Sequence, residues 1–178
     1  MARIPYPDTS SAELAELAEE VRRTRGQLLN LFRALMHAPA IAEPWVALGT
    51  AVRYGSGLDD RTRELAICQV AARTGCPYEW HHHAPLAAAA GVSQDQLGTL
   101  PDPPNGTFDL ADEQLLRYAD LVIAGSVDDQ TFDAMVTQHG ERRTTEITAT
   151  IAFYISVSRF LSAMGVEIED PAVDPSSM

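Results

Sequence analysis

Cysteine is scarce in this sequence. Cys68 and Cys76 are the two thiols in 178 residues, too few to form a disulfide framework. A chain of this length buries a sufficient core without such staples. Positive charge is also thin: 13 Lys and Arg face 25 Asp and Glu, a net charge of −12. That surface repels phosphate backbones and anionic bilayers, so nucleic acid and membrane are not expected as partners. A local arginine pocket can still hold an anionic small molecule. Long hydrophobic runs are absent, since no uninterrupted apolar stretch reaches the roughly 18 residues that span a bilayer. Met1 to Ser10 holds one Arg, two Pro and no apolar segment, so it does not read as a signal peptide, and a cytoplasmic location is expected. Repeats, low-complexity tracts and clean runs of alternating β-branched residues are missing as well.

Helical periodicity is what remains. A single domain over 1–178 is expected, with an N-terminal helical extension over 1–36 and a frayed tail over 170–178. The first helix is predicted from Ser11 to Met36, capped by Ser10 or Ser11, with Glu13 three residues after Ser10 suiting a capping box and Gly26 as its weak point. Pro39 is expected to end that segment and Pro44 to start the next helix, which Gly55 and Gly57 stop. Asp59 or Asp60 caps a helix to about Thr74. Gly75 and Pro77 turn the chain into a helix that ends near Ala90, and Ser93 caps a short one. Pro101 to Gly106 is a loop. Helices follow at Ala111–Ala124, Asp128–His139 and Thr144–Met164, the last including the β-branched run of Glu146 to Val157. The fold class is therefore all-α, with about six to eight helices.

The residues that carry chemistry lie between Leu58 and Gly91. Glu79 and His83 are four apart and share a helix face, as do Glu64 and Cys68 on the preceding helix. The short connection at Gly75 to Pro77 packs these helices antiparallel, so the two faces can meet. An imidazole with an ordinary pKa of about 6.5 exchanges protons near neutrality. A carboxylate beside it fixes its tautomer, and a second carboxylate in a drier place can act as acid or base. Glu64, Glu79 and His83 thus form a candidate catalytic set for proton transfer that requires no cofactor. Arg53, Arg61 and Arg63 are candidates for holding a substrate carboxylate, because a guanidinium pairs with it bidentately. Arg159 sits on an otherwise apolar helix, where a charge needs a partner or a site. Tyr78 and Trp80 are expected as walls of a pocket or interface. His81, His82 and His83 are consecutive, and helical neighbours point about 100° apart, so the run does not converge on one ion and no metal is expected. Cys76 opens a helix, where the dipole can lower a thiol pKa; Cys68 reads as core packing.

These residues also resemble a known family. Arg63-Glu64-Leu65-Ala66-Ile67, Tyr78-Glu79-Trp80, His83 and Ala90-Gly91-Val92-Ser93 resemble the carboxymuconolactone decarboxylase family. Its redox branch is the alkylhydroperoxidase-D proteins. The likeness extends to Phe153-Tyr154, Arg159-Phe160-Leu161 and Met164-Gly165-Val166-Glu167. The redox branch looks like Glu, then twelve residues later Cys-x-x-Cys-x-x-x-His. Glu64, Cys76 and His83 match three of those positions, and Glu79 stands where the second cysteine belongs. One cysteine cannot cycle between dithiol and disulfide, so the resemblance implies the Glu-containing branch without the Cys-x-x-Cys pair. That implies a cofactor-free lyase of the carboxymuconolactone decarboxylase type, acting on a small carboxylate or lactone. Glu64, Glu79 and His83 would be catalytic, and Arg63, Tyr78 and Arg159 would bind substrate. It also implies a homo-oligomer, commonly a trimer or hexamer. The alternatives are a thiol-dependent peroxidase or reductase using Cys76, and a non-catalytic oligomeric binding protein.

Overall fold

The structure is a computed structural model, and it describes residues 2–170. The expected frayed end falls, beyond Asp170, outside the described residues. Every regular element among the described residues is helical. They are α1 (Ala15–Arg25), α2 (Asn30–Leu35), α3 (Pro39–Thr50), a π-helical turn (Ala51–Gly55), α4 (Asp60–Thr74), α5 (Pro77–Ala89), α6 (Gln94–Leu97), α7 (Leu110–Ala124) and α8 (Asp129–Met164). The count agrees with the expected six to eight. The chain divides into two compact units, Ser56–Phe160 and Met1–Gly55 with Leu161–Met178.

The larger unit is organised around α4. Asp59 caps it by accepting from the Thr62 backbone N–H at 2.9 Å. Its residues from Arg63 to Ala71 are all buried, so this helix has no solvent face in its middle. At its end Gly75 takes φ 64°, the left-handed conformation that glycine adopts without a Cβ penalty. The Gly75 and Cys76 backbone N–H groups donate to the Ala72 and Ala71 carbonyls at 3.2 and 2.9 Å. Pro77 then starts α5 with its fixed φ. The chain reverses in two residues, and α5 runs antiparallel beside α4.

The α7 helix runs the other way. Arg61 pairs with Asp112 at 2.7 Å, and Gln69 donates to Asp120 at 2.7 Å. Both links join residues 51 apart, and a constant offset means parallel helices. The Tyr118 and Thr148 hydroxyls, 2.6 Å apart, tie α7 to α8. The α8 helix is broken once, at Gly140 with φ 75° and ψ 163°, so the expected gap between His139 and Thr144 is a single residue. Its β-branched stretch is helical, as expected, and Ile147, Ile151 and Val157 are buried. By length and composition α8 is apolar enough to cross a bilayer. The expectation missed this because it counted uninterrupted apolar runs, whereas Thr and Ser interrupt this one. Its buried face carries Thr150 and Ser158 among the apolar residues.

The smaller unit departs from the predicted boundaries. The predicted helix from Ser11 to Met36 is two helices, because Gly26 takes φ 84° and ends α1. The Ser10–Glu13 box does not form: Leu14 is the N-cap, and Ser10 instead donates from its backbone and hydroxyl to Asp8. Pro39 starts α3 rather than ending a helix, and Pro44 lies inside α3. Pro39 opens the helix, where its missing N–H has no intrahelical partner to lose, while Pro44, the sixth residue, forgoes the bond that an N–H there would make to the Ala40 carbonyl. The Glu169 carboxylate accepts from the Asn30 backbone N–H at 2.7 Å, a side-chain partner for the start of α2.

Candidate functional site

The hairpin of α4 and α5 fixes which residues face each other. Residue 71 bonds residue 76 at the turn, so a tight antiparallel pair places 64 opposite 83. That pairing is observed: Glu64 Oε2 lies 2.6 Å from His83 Nδ1. The His83 Nδ1–H donates to the carboxylate, which leaves Nε2 for chemistry. Glu79 Oε2, one helical turn before His83, lies 3.5 Å from that Nε2. Glu64, Glu79 and His83 are 1%, 3% and 4% exposed. Buried ionisable groups are retained where they are paired, and these are paired with each other.

Arg63 holds the other side of Glu64. Its Nε donates to Glu64 Oε1 at 3.1 Å, and its Nη2 donates to Asp60 Oδ1 at 2.6 Å. The guanidinium is itself buried. Tyr154 of α8 meets His83 edge-on, with ring centroids 5.0 Å apart at 84°. Ser158 lies beside Cys76, and its Oγ is buried without a hydrogen-bond partner. Residues 83 and 76 thus face 154 and 158, which makes α8 antiparallel to α5 and closes a three-helix site.

The two thiols face the carboxylates. Burial, then the charges of Glu64 and Glu79, push the Cys68 thiol up to about 12. Burial also pushes Cys76 up, with Glu79 adding to it, although the Glu79 and Tyr78 backbone N–H groups and Ser158 pull the other way. The expectation that the helix dipole lowers the Cys76 pKa is therefore corrected: desolvation outweighs it.

The other predicted residues are dispersed. Tyr78 is buried, and its ring lies 4.6 Å from that of His82. Arg61 is occupied by Asp112 and the Gly91 carbonyl. Arg159 is exposed, so water solvates its charge and the argument for a buried partner does not apply. His81 is exposed and His82 half-buried. Among the described residues no group of three or more His, Cys, Asp and Glu side chains is arranged to hold a metal ion. Sequence reasoning missed Ser158 and gave Tyr154 no role. The available signal was a polar pair at i and i+4 inside an apolar helix.

Comparison with known proteins places the fold. Residues 39–103 match the model of the carboxymuconolactone decarboxylase family, a segment that holds Glu64, Cys76, Glu79 and His83 but not Tyr154. No curated protein matches the chain. Among solved structures, it resembles the alkylhydroperoxidase AhpD core of an uncharacterized peroxidase-related protein from Ralstonia eutropha JMP134. Identity is 21%, with 95% of this chain and 93% of that one covered and a TM-score of 0.77. A peroxidase-related protein from Silicibacter sp. TM1040 is similar at 16% identity, covering 94% and 90%, with a TM-score of 0.77. The debrominase Bmp8, solved as a cysteine-to-alanine variant in complex with 2,3,4-tribromopyrrole, is similar at 18% identity, covering 99% and 97%, with a TM-score of 0.72. At these identities the structural likeness shows the fold.

Proposed function

We propose that this chain, a member of the carboxymuconolactone decarboxylase family with an alkylhydroperoxidase-D-like fold, is an acid–base enzyme that needs no cofactor and acts on a small carboxylate or lactone. The observation that carries this reading is the 2.6 Å bond from His83 Nδ1 to Glu64, with Glu79 3.5 Å from Nε2. An imidazole oriented by one carboxylate and faced by another is a proton-transfer device. In a decarboxylation, the bond to the departing carboxylate breaks and CO2 leaves. Its electron pair passes to an adjacent conjugated carbonyl as an enolate, and a proton must then reach carbon. His83 Nε2 or Glu79 supplies that proton, and Glu64 stabilises the imidazolium that precedes it. The homo-oligomeric state, trimer or hexamer, belongs to the same proposal.

An arginine clamp for the substrate carboxylate is less well supported than the proton transfer. Arg63 is committed to Glu64 and Asp60, and Arg159 is exposed. The thiol-dependent alternative rests on Cys76, whose pKa is raised rather than lowered, which disfavours the thiolate nucleophile it needs.

The test is a thermal-shift screen of lactones, aromatic acids and dicarboxylates against wild type and His83→Ala. A ligand that binds the folded state raises its melting temperature. The reading expects an acid or lactone that stabilises the wild type and not the variant. If peroxides and thiol reductants are turned over while no acid or lactone shifts the melt, the reading is wrong.

A further inference from the structure

The Arg63 side chain has a role that neither substrate binding nor packing describes. It is buried, it donates to the oxygen of Glu64 that His83 does not use, and its other end is held by Asp60. Asp60 is exposed, with a side-chain exposure of 77%. Charged groups therefore run in a row from the surface to the imidazole: Asp60, Arg63, Glu64, His83, Glu79.

We infer that Arg63 is a positioning residue that sets the proton affinity of the Glu64–His83 pair. The inference rests on the acid–base reading of this site. A carboxylate bonded by an imidazole and by nothing else would hold the imidazolium tightly, and a donor that never releases its proton does not turn over. The guanidinium shares the Glu64 charge through a charge-assisted bond. Its own positive charge opposes a second positive charge on His83. Both effects lower the proton affinity of the pair. Asp60 moderates them from the surface end, where solvent weakens its influence. The groups that face the pair are Glu64, Arg63 and Cys68 from α4, Cys76 and Glu79 from α5, and Tyr154 from α8. The pair titrates as a unit, so the measurable quantity is its apparent midpoint.

The experiment is a titration of the His83 imidazole by nitrogen NMR on the full chain, without substrate, in wild type, Arg63→Gln, Arg63→Lys and Asp60→Asn. Arg63→Gln should raise the apparent midpoint by about one unit or more. Asp60→Asn leaves the Arg63 charge unmoderated and should lower the midpoint by less. Arg63→Lys keeps the charge and should bring the midpoint back toward the wild-type value. A purely structural role would lower the melting temperature of the variants and move no midpoint in opposite directions. Should Arg63→Gln fail to fold, Asp60→Asn at its exposed position decides alone. A His83 midpoint that does not fall in Asp60→Asn overturns the inference. Because no substrate is present, that failure is separate from a failure of the proposed reaction, which His83→Ala tests.

Discussion

The α4–α5 hairpin and the α3 helix use their residues in opposite ways. In α4, nine consecutive residues are buried, and two of them, Arg63 and Glu64, are charged. In α3, an apolar helix, Ile41 and Leu48 are 56% and 52% exposed. Burial in the first case is governed by pairing: each buried charge has a bonded partner within the hairpin or α4 itself. Exposure in the second leaves apolar surface that water does not favour. The contrast separates buried charges that depend on their partners from exposed apolar side chains whose removal costs little.

Substitutions that break this contrast have graded effects. The largest falls on function. Glu64→Gln or His83→Ala should lower turnover about 100-fold or more, the usual contribution of a positioned acid or base, as read in steady-state rates at saturating substrate. Next is stability within the hairpin core. Ile67 is fully buried, and Ile67→Ala should cost about 2–5 kcal/mol in denaturant unfolding. Asp59→Ala removes the α4 cap and should cost about 1 kcal/mol. The Thr62 bonds and Arg143 hold the Asp59 carboxyl below its ordinary value, although burial, the largest single influence, works against them. A lowered carboxyl contributes its full stability above the unfolded pKa of about 3.9. That contribution disappears as pH falls through the folded value, so the gap between wild type and Asp59→Ala should narrow there. The smallest effect belongs to α3, where Ile41→Ala should stay within about 0.5 kcal/mol.

The thiols affect stability from the alkaline side. Cys68, pushed up to about 12, keeps its proton in the folded chain at pH values where an unfolded thiol, at about 8.5, loses it. A raised group favours folding below the unfolded pKa, and that stability fades as pH rises toward the folded one. Unfolding midpoints should therefore fall above about pH 8.5 in wild type and fall less in Cys68→Ala. Alkylation of Cys68 in the native state should be far slower than that of a free thiol.

The legibility of the sequence follows the same division. Asp59 and Ser93 cap through their own side chains, and Gly75 and Pro77 act through their own backbone, so the ends of α4 and the starts of α5 and α6 could be read directly. Glu64 and His83 meet because that short turn fixes the register, and four-residue spacing gave the rest. The N-terminal boundaries were misread because proline tolerates two positions, before a helix and within its first turns, and Pro39 and Pro44 occupy the second use. Ser10 had a competing carboxylate at Asp8, which local spacing does not weigh. Tyr154 and Ser158 lie about seventy residues from the motif, and only packing of α8 brings them to it. The Arg63 charge is visible in the sequence, but its engagement with Glu64 and Asp60 is visible only in the structure.

The proposed function places the chemistry on the imidazole of His83 and not on the thiol of Cys76. The direct test is turnover of the ligand found in the thermal-shift screen by wild type, Glu64→Gln, His83→Ala and Cys76→Ser side by side, with melting temperatures confirming that each is folded. Cys76→Ser should retain most of the activity while Glu64→Gln and His83→Ala lose it. Loss in Cys76→Ser with activity kept in His83→Ala would contradict the proposed function.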